Sequence, residues 1–231
     1  MIKLTGLTKT GRPETASVDH ITVQIPSGET VCLLGPAQEC NTALLQLMAG
    51  CVDPDEGSVS INGLDIVKDA QRAKPLVGYA PQGPLPYPGM TVREYLTFAA
   101  EARGAGAVSV RTFLEMTELS SVWTRQIRNL GQPFLAMVRC AQAFAGRTEI
   151  VLLDEPFDGL DPEGAKALWQ MLDSLCEGRT LIMTMSSPEN IRPGCRVLTL
   201  SRGTIAADGI VEAQGAQSGD LQEEGGNGVE S

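Results

Sequence analysis

Two adjacent carboxylates, Asp154 and Glu155, directly follow the apolar run IVLL. Because four apolar β-formers predict a buried strand, we expect both carboxylates at the carboxyl edge of a parallel sheet, where α/β folds bind ligands. A carboxylate there can hold Mg²⁺ beside a nucleotide, and the next one can orient or deprotonate a water. The alternative is a surface Asp-Glu-Pro turn. Pro156 and the string Gly159-Leu160-Asp161 favour the chemical interpretation.

A second stretch, LLGPAQECNTALLQLMAG at residues 33–50, runs from an apolar strand through a glycine and a tight loop into an amphipathic helix. This order is typical of phosphate-binding loops with the pattern G-x-x-x-x-G-K-[ST]. Gly35 and Thr42 match the first glycine and the hydroxyl that binds Mg²⁺. Cys40 stands at the second glycine, however, and Asn41 at the lysine. The stretch therefore predicts a phosphate loop by position, with altered chemistry.

These stretches lie in a chain whose short apolar strands alternate with helical patterns, which predicts an α/β fold with a parallel sheet wrapped by helices. Strands are predicted at 21–25, 30–35, 58–63, 77–80, 150–154, 180–185 and 196–208. The last is a hairpin that turns at Arg202-Gly203, and Asn62-Gly63 is another turn signal.

Helices are predicted at 41–49, 91–103, 108–118, 133–145 and 162–176. Thr91 and Glu94 form a capping box at the start of the second helix. Residues 84–130 contain no strand pattern and predict a helical subdomain. We expect one folded domain over residues 1–210. The Gly/Gln/Glu-rich residues 211–231 predict a disordered acidic tail.

Composition limits the classes of function. The net charge of −10 argues against nucleic acid as the main ligand. No apolar stretch approaches the length of a membrane span and the N-terminus lacks a signal-peptide core, so any service to a membrane would pass through a partner. The six cysteines show no C-x-x-C spacing. Free thiols in a reducing cytosol are expected rather than disulfides or a metal site.

With these motifs, the chain resembles the ATP-binding subunits of ABC transporters over about residues 2–209. VLLDEP resembles their Walker B motif with its following glutamate, DGLD their D-loop and VGYAPQ their Q-loop strand. Residues 87–104 resemble the opening of their helical subdomain. Among these subunits the chain is most similar to those of export-type systems with a separate permease.

The resemblance implies a P-loop NTPase-type three-layer α/β core with a mainly parallel sheet, an antiparallel β subdomain and a helical insertion. It implies ATP and Mg²⁺ as cofactors, Glu155 as the catalytic residue, and Thr42, Gln82 and Asp154 as metal ligands. The implied nucleotide-binding positions are Gly35, Pro36, Ala37, Gln38, Glu39, Cys40, Asn41, Thr42, Ala43, Gln82, Asp154 and Ser186. A transmembrane permease and a second ATP-binding subunit are the implied partners, which would hold the chain at the cytoplasmic face of the membrane.

The phosphate loop departs from this family at three positions. Asn41 lacks the ammonium whose charge-assisted phosphate contacts are worth about 2–3 kcal/mol. Cys40 replaces a glycine whose backbone is expected to be strained by a Cβ, at a cost of about 1–2 kcal/mol. Glu39 adds repulsion of about 1 kcal/mol. Together these predict binding weakened by about 4–6 kcal/mol, a thousandfold to ten-thousandfold.

Three further departures lie elsewhere. LGQPF at residues 130–134 takes the place of the LSGGQ signature, so Gly131 offers no hydroxyl and Pro133 no N–H. Ser186 stands where the family has a switch histidine. The one histidine, His20, is expected in a surface turn. The segment before the phosphate loop offers no aromatic residue to stack on adenine, a loss of about 1–3 kcal/mol.

Three hypotheses follow. The chain is a degenerate cassette that docks on a permease, pairs with another subunit and has weak or absent ATP hydrolysis of its own. It is alternatively an active Mg-ATPase that tolerates these changes, or a nucleotide-independent scaffold built on the same fold. Mg-ATP binding and hydrolysis by the purified chain separate the three.

Overall fold

The computed structural model describes residues 1–11, 18–35, 40–104 and 118–212. Over these ranges the chain forms an α/β fold with two sheets. This confirms the fold class implied by the motifs. Within the described ranges no helix combines the length and apolarity needed to cross a bilayer.

The larger sheet has six strands and carries the motifs. They are β3 (Thr30–Leu34), β6 (Val77–Ala80), β7 (Ile150–Leu153), β8 (Thr180–Met185), β9 (Arg196–Ser201) and β10 (Thr204–Ile210), in the order β10-β9-β3-β8-β7-β6. All neighbours are parallel except β9 and β10. The strands β3, β6, β7 and β8 therefore end at one edge, which brings the predicted site segments together.

A smaller antiparallel sheet has the order β2-β1-β4-β5. Its strands are β1 (Ile2–Lys9), β2 (Val18–Ile25), β4 (Glu56–Ile61) and β5 (Leu64–Asp65). The turn between β4 and β5 uses the predicted pair Asn62-Gly63, whose positive φ angles of 50° and 83° suit a tight hairpin. This sheet is the implied antiparallel β subdomain.

In the described part of the chain the α-helices are α1 (Asn41–Met48), α2 (Ala70–Ala73), α3 (Val92–Ala102), α4 (Gln132–Ala141) and α5 (Pro162–Leu175). Short 3₁₀ turns lie at Lys74–Leu76, Glu118–Val122, Ile127–Asn129, Gln142–Phe144 and Pro188–Asn190. The predicted capping box is present at α3, since Thr91 Oγ1 accepts from the Glu94 N–H and the Glu94 carboxylate accepts from the Thr91 N–H. At α5 the Asp161 carboxylate accepts from the Gly164 N–H at 2.7 Å.

Both faces of the six-stranded sheet are buried at its central strands, whereas the edge strand β10 is largely exposed. Successive residues of β3 alternate between two apolar clusters: Val31 and Leu33 pack with α1 and the antiparallel sheet, whereas Cys32 packs with α3, α4 and α5. The same alternation holds in β7. The result is three layers, with the parallel sheet in the middle.

Most predicted elements are present within a few residues of their bounds, including the hairpin at Arg202-Gly203. Strand β1 was not predicted from the sequence. His20 lies in β2, where the pairing with β1 shifts register, and has a positive φ of 48°. The prediction that it lies in a turn was therefore wrong. The predicted helix at 108–118 falls almost wholly outside the described residues, as does most of the predicted tail.

Candidate functional site

Thr42 and Asp154 meet at the carboxyl edge of the parallel sheet. Thr42 lies in the first turn of α1 and Asp154 directly follows β7. The Thr42 hydroxyl donates a 3.0 Å hydrogen bond to Asp154 Oδ1, and the Thr184 hydroxyl donates to the same oxygen at 2.8 Å. Asp154 is 2% exposed. A buried carboxylate is thus held by hydroxyls, and within the described residues it forms no ion pair.

Glu155 is held beside Asp154 in an unusual backbone conformation. Its φ is 45°, a left-handed value that costs a residue with a Cβ about 1–2 kcal/mol. The Glu155 N–H donates to Thr184 Oγ1 at 2.7 Å, which helps to fix this conformation. Strain of this kind is concentrated at functional sites.

The Glu155 carboxyl group is only half satisfied. Oε2 accepts from the Ser186 N–H at 3.1 Å and from the Ser186 hydroxyl at 3.2 Å. Oε1 is buried without a hydrogen-bond partner among the described residues. Burial raises the pKa of Glu155, and its contacts with Ser186 oppose that shift. The structure therefore brings together Glu155 and Ser186, which lie 31 positions apart in the sequence.

The side chain of Asn41 points towards Gly35, which directly follows β3. Its side chain is 2% exposed, and Nδ2 donates to the Gly35 carbonyl oxygen at 3.1 Å. Asn41 Oδ1 is buried and, in the described part of the chain, has no hydrogen-bond partner. A Cβ on Gly35 would lie 3.2 Å from that oxygen. The position matched to the lysine thus holds a short amide that contacts the loop backbone.

Cys40 is not strained. Its φ and ψ are −57° and 4°, and the residue is fully buried. These are ordinary angles for a residue with a Cβ, so the expected strain of about 1–2 kcal/mol was wrong. Only the Asn41 and Glu39 contributions to weaker phosphate binding remain.

Gln82 lies near the edge but contacts a different carboxylate. Its side-chain amide donates to Asp158 Oδ2 at 3.4 Å. The structure does not bring it against Thr42 or Asp154, and its role as a metal ligand stays a prediction. A cleft of about 530 Å³ is lined by Gln82, Asp158 and one face of α4.

The segment LGQPF leads into α4. Gly131 precedes the helix, and Pro133 occupies one of its first two positions, as the sequence predicted. Pro133 also packs against α5, since a Cβ on Gly164 would lie 3.1 Å from its ring. Of the predicted nucleotide-binding residues, Ala43 lies half-buried in α1. Pro36, Ala37, Gln38 and Glu39 lie outside the described residues.

Two site residues were missed by sequence reasoning. Thr184 joins Asp154 to the Glu155 backbone, and its only signal is a hydroxyl inside the mainly apolar strand TLIMTM. Tyr79 of β6 directs its hydroxyl towards Asp154 Oδ2 at 3.5 Å. Burial, together with the charge of Asp154, raises the pKa of Tyr79.

The donor set at this edge fits Mg²⁺, which binds oxygen ligands in octahedral geometry. Adjacent ligands of such an ion lie about 3 Å apart, a spacing that the Thr42 and Asp154 oxygens already have. The fit to a polyphosphate is poorer. The short amide of Asn41 is turned towards Gly35 and carries no charge to offer.

Comparison with known proteins decides the family. The model of the ABC transporter family matches residues 18–158. The chain belongs to the ABC transporter family. As an ABC transporter ATP-binding cassette, it is 30% identical over 207 residues to the Nod factor export ATP-binding protein I of Burkholderia pseudomallei (strain 1710b). That alignment covers 85% of this chain and 68% of that protein.

Other relatives agree with this assignment. The cassette is 31% identical over 222 residues to the probable multidrug ABC transporter ATP-binding protein YbhF of Escherichia coli (strain K12), covering 92% of this chain and 38% of that protein. The dimeric structure of a bacterial ABC transporter cassette superposes with a TM-score of 0.79 at 22% identity, covering 92% of this chain and all of that one. The resemblance inferred from the motifs is confirmed.

Proposed function

We propose that this cassette is a degenerate ATP-binding subunit of an ABC transporter, docked on a membrane permease and paired with a second cassette subunit. Its own ATP hydrolysis is weak or absent. The observation that supports this proposal most directly is at position 41, where the phosphate-loop pattern has a lysine. Asn41 stands there instead, and its buried amide donates to the Gly35 carbonyl oxygen.

The size of the binding defect supports this proposal. Loss of the lysine contacts weakens phosphate binding by about 2–3 kcal/mol, and Glu39 adds about 1 kcal/mol of repulsion. With no strain at Cys40, the sum is about 3–4 kcal/mol, a few hundredfold in affinity. An ordinary micromolar dissociation constant would rise to hundreds of micromolar or more.

The charge at the sheet edge points in the same direction. Asp154 and Glu155 are hydrogen-bonded only to hydroxyl and backbone groups among the described residues. An ATP molecule would bring several more negative charges to this edge. Mg²⁺ held by Thr42 and Asp154 would offset part of that charge and polarise the phosphate, but no described lysine or arginine contacts either carboxylate.

The partners in the proposal have separate support. Proteins named as export and multidrug ATP-binding proteins are among the relatives, and a similar cassette was solved as a dimer. In a pair of two copies of this chain, each site would combine an altered phosphate loop with the altered signature segment LGQPF. Pairing with an intact cassette is therefore the arrangement that retains the most phosphate contacts.

An active Mg-ATPase is the second candidate, favoured by the Thr42–Asp154 contact and the position of Glu155 beside it. A calorimetric titration of the isolated chain with Mg-ATP, run beside an ATPase assay, separates the two. We expect weak saturable binding and turnover only with a second cassette. Hydrolysis at ordinary cassette rates, abolished by Glu155→Gln, would overturn the proposal. An absence of binding at millimolar ATP in every pairing would favour a nucleotide-independent scaffold.

A further inference from the structure

Thr184 lies next to both carboxylates at the sheet edge. It is the fifth residue of β8, and in the pairing of β7 with β8 Leu153 lies opposite Met183. Asp154 directly follows Leu153, so the register places it beside Thr184. Thr184 is fully buried, at 0% exposure. Its hydroxyl therefore makes no contact with bulk solvent and depends on partners within the protein.

The hydrogen bonds of Thr184 have only one possible direction. A carboxylate oxygen can only accept a hydrogen bond, and a backbone N–H can only donate one. The Thr184 hydroxyl therefore gives its proton to Asp154 Oδ1, at 2.8 Å, and accepts from the Glu155 N–H, at 2.7 Å. One hydroxyl thus holds the side chain of the first carboxylate and the backbone of the second. The second carboxylate belongs to the residue whose φ of 45° needs support from its surroundings.

The other donors to Asp154 within the described ranges differ from Thr184. The Thr42 hydroxyl also donates to Asp154 Oδ1, at 3.0 Å, but Thr42 is itself a predicted metal ligand. The Tyr79 hydroxyl reaches Asp154 Oδ2 only at 3.5 Å. Thr184 is thus the close donor to Asp154 that lies outside the predicted set of metal ligands. A hydrogen bond of this kind orients a ligating carboxylate, and its loss typically weakens metal binding about 10- to 100-fold.

We propose that Thr184 is a positioning residue for the Mg²⁺ site at the sheet edge. Its hydroxyl fixes the direction of the Asp154 carboxylate and the backbone of Glu155, and without this hydroxyl the site binds the cation more weakly. With its proton and a lone pair both engaged, Thr184 acts through these two residues rather than as a ligand. The inference rests on the metal part of the proposed function, in which Thr42 and Asp154 hold Mg²⁺, and not on the strength of ATP binding.

The test measures Mn²⁺ binding by the full, nucleotide-free chain. Mn²⁺ takes the same oxygen ligands as Mg²⁺, and the electron paramagnetic resonance signal of the free ion reports how much is bound. Thr184→Val keeps the shape of the side chain but removes the hydroxyl, and it should weaken binding about tenfold or more. Thr184→Ser keeps the hydroxyl and should retain most of the affinity. Asp154→Asn identifies the site, and only the binding that it abolishes is compared.

A matched control removes a different buried hydroxyl from the same strand. Thr180 is the first residue of β8, is 2% exposed and accepts from the Gly28 N–H at 3.0 Å. Thr180→Val therefore loses a comparable hydrogen bond roughly 13 Å away from Thr184 along the strand. It should lower stability but leave the Mn²⁺ affinity unchanged. This control separates positioning of the site from a general weakening of β8.

Amide hydrogen exchange tests the same geometry without a metal. In Thr184→Val the Glu155 N–H loses its acceptor and should exchange faster with solvent, whereas in Thr180→Val the faster exchange should be at Gly28. Thr184→Ala also lacks the hydroxyl and undergoes both measurements if Thr184→Val does not fold.

The outcomes separate this inference from the proposed function. Equal Mn²⁺ affinity in Thr184→Val and Thr184→Ser would overturn the inference, as would a Glu155 N–H that stays equally protected in Thr184→Val. An absence of Mn²⁺ binding that depends on Asp154 in the unaltered chain would overturn it as well. ATP hydrolysis at ordinary cassette rates would overturn the proposed function alone, because the role of Thr184 does not require the site to be weak.

Discussion

Replacing Asn41 with lysine should restore much of the missing ATP affinity. Asn41 is buried at the start of α1, where its amide donates to the Gly35 carbonyl and its own oxygen has no described partner. A lysine at this position has a stem long enough to leave the buried contact and place its ammonium over the loop. That substitution recreates the residue which the phosphate-loop pattern requires.

The magnitude follows from what is gained and lost. The ammonium gains charge-assisted contacts with phosphate worth about 2–3 kcal/mol, equal to a rise in affinity of about 30- to 140-fold. Loss of the Asn41–Gly35 hydrogen bond costs about 1 kcal/mol of folding stability, which removal of the unpartnered amide oxygen offsets. We therefore expect a large change in ATP affinity with little change in the free energy of unfolding. Because Cys40 is unstrained, adding Cys40→Gly should contribute much less than Asn41→Lys.

The assay is a calorimetric titration of the isolated chain with Mg-ATP, with urea unfolding measured in parallel. Asn41→Gln is the matched control, since it lengthens the side chain without adding charge, and its affinity should stay close to that of the unaltered chain. The reasoning is refuted if Asn41→Lys folds normally and binds ATP no more tightly than Asn41→Gln. Tight micromolar binding by the unaltered chain would refute it equally.

Three other predictions concern the stability of the folded cassette. A Cβ on Gly78 would lie 1.7 Å from the Ala143 carbonyl oxygen, so Gly78→Ala should lower the free energy of unfolding in urea by about 3 kcal/mol. Thr91→Ala removes the cap of α3 and should cost about 1 kcal/mol in the same assay. Burial raises the pKa of Glu155, so the folded chain holds this proton at pH values where the unfolded chain has released it. Stability therefore falls as the pH rises through that window, and Glu155→Gln should stabilise the cassette at neutral pH, with the gain vanishing below about pH 4.

Each of these predictions has a control within the chain. A Cβ on Gly89 meets nothing within 4 Å, so Gly89→Ala should change the free energy of unfolding by less than about 0.5 kcal/mol. Thr97→Ala alters the same helix as Thr91→Ala but removes no cap. Glu101→Gln alters an exposed glutamate and should not reproduce the pH-dependent gain. Equal effects in a variant and its control would contradict the corresponding explanation.

The larger sheet was predictable because its strands are short apolar runs bounded by glycine, proline or a change of period. Parallel strands that are buried on both faces produce such runs in β7 and β8. Strand β1 was missed although buried and exposed residues alternate at its start as in a half-buried strand, because Gly6, at a φ of 54°, interrupts the alternation. That pattern becomes a strand only through pairing with β2 and β4, which are distant in sequence.

The site was predictable where a motif fixes both residue type and position, as at Thr42, Asp154 and Glu155. Thr184 could not be assigned, because its role depends on β8 lying beside β7 in one particular register. The error at Cys40 has a related cause. The conformation expected there belongs to a glycine, and the φ of −57° shows that the backbone has adopted angles suited to a cysteine.

The fold also explains why the carboxylate can persist where the lysine does not. Asp154 accepts hydrogen bonds from the hydroxyls of Thr42 and Thr184. Replacing Asp154 would remove the acceptor of both hydroxyls, whether or not a nucleotide is bound. A lysine at position 41 would have no comparable structural contact. Unless a phosphate were bound, its ammonium would gain no charge-assisted contact, whereas the neutral amide of Asn41 donates to the Gly35 carbonyl oxygen. Selection for stability alone therefore retains Asp154, and only selection for phosphate binding retains a lysine.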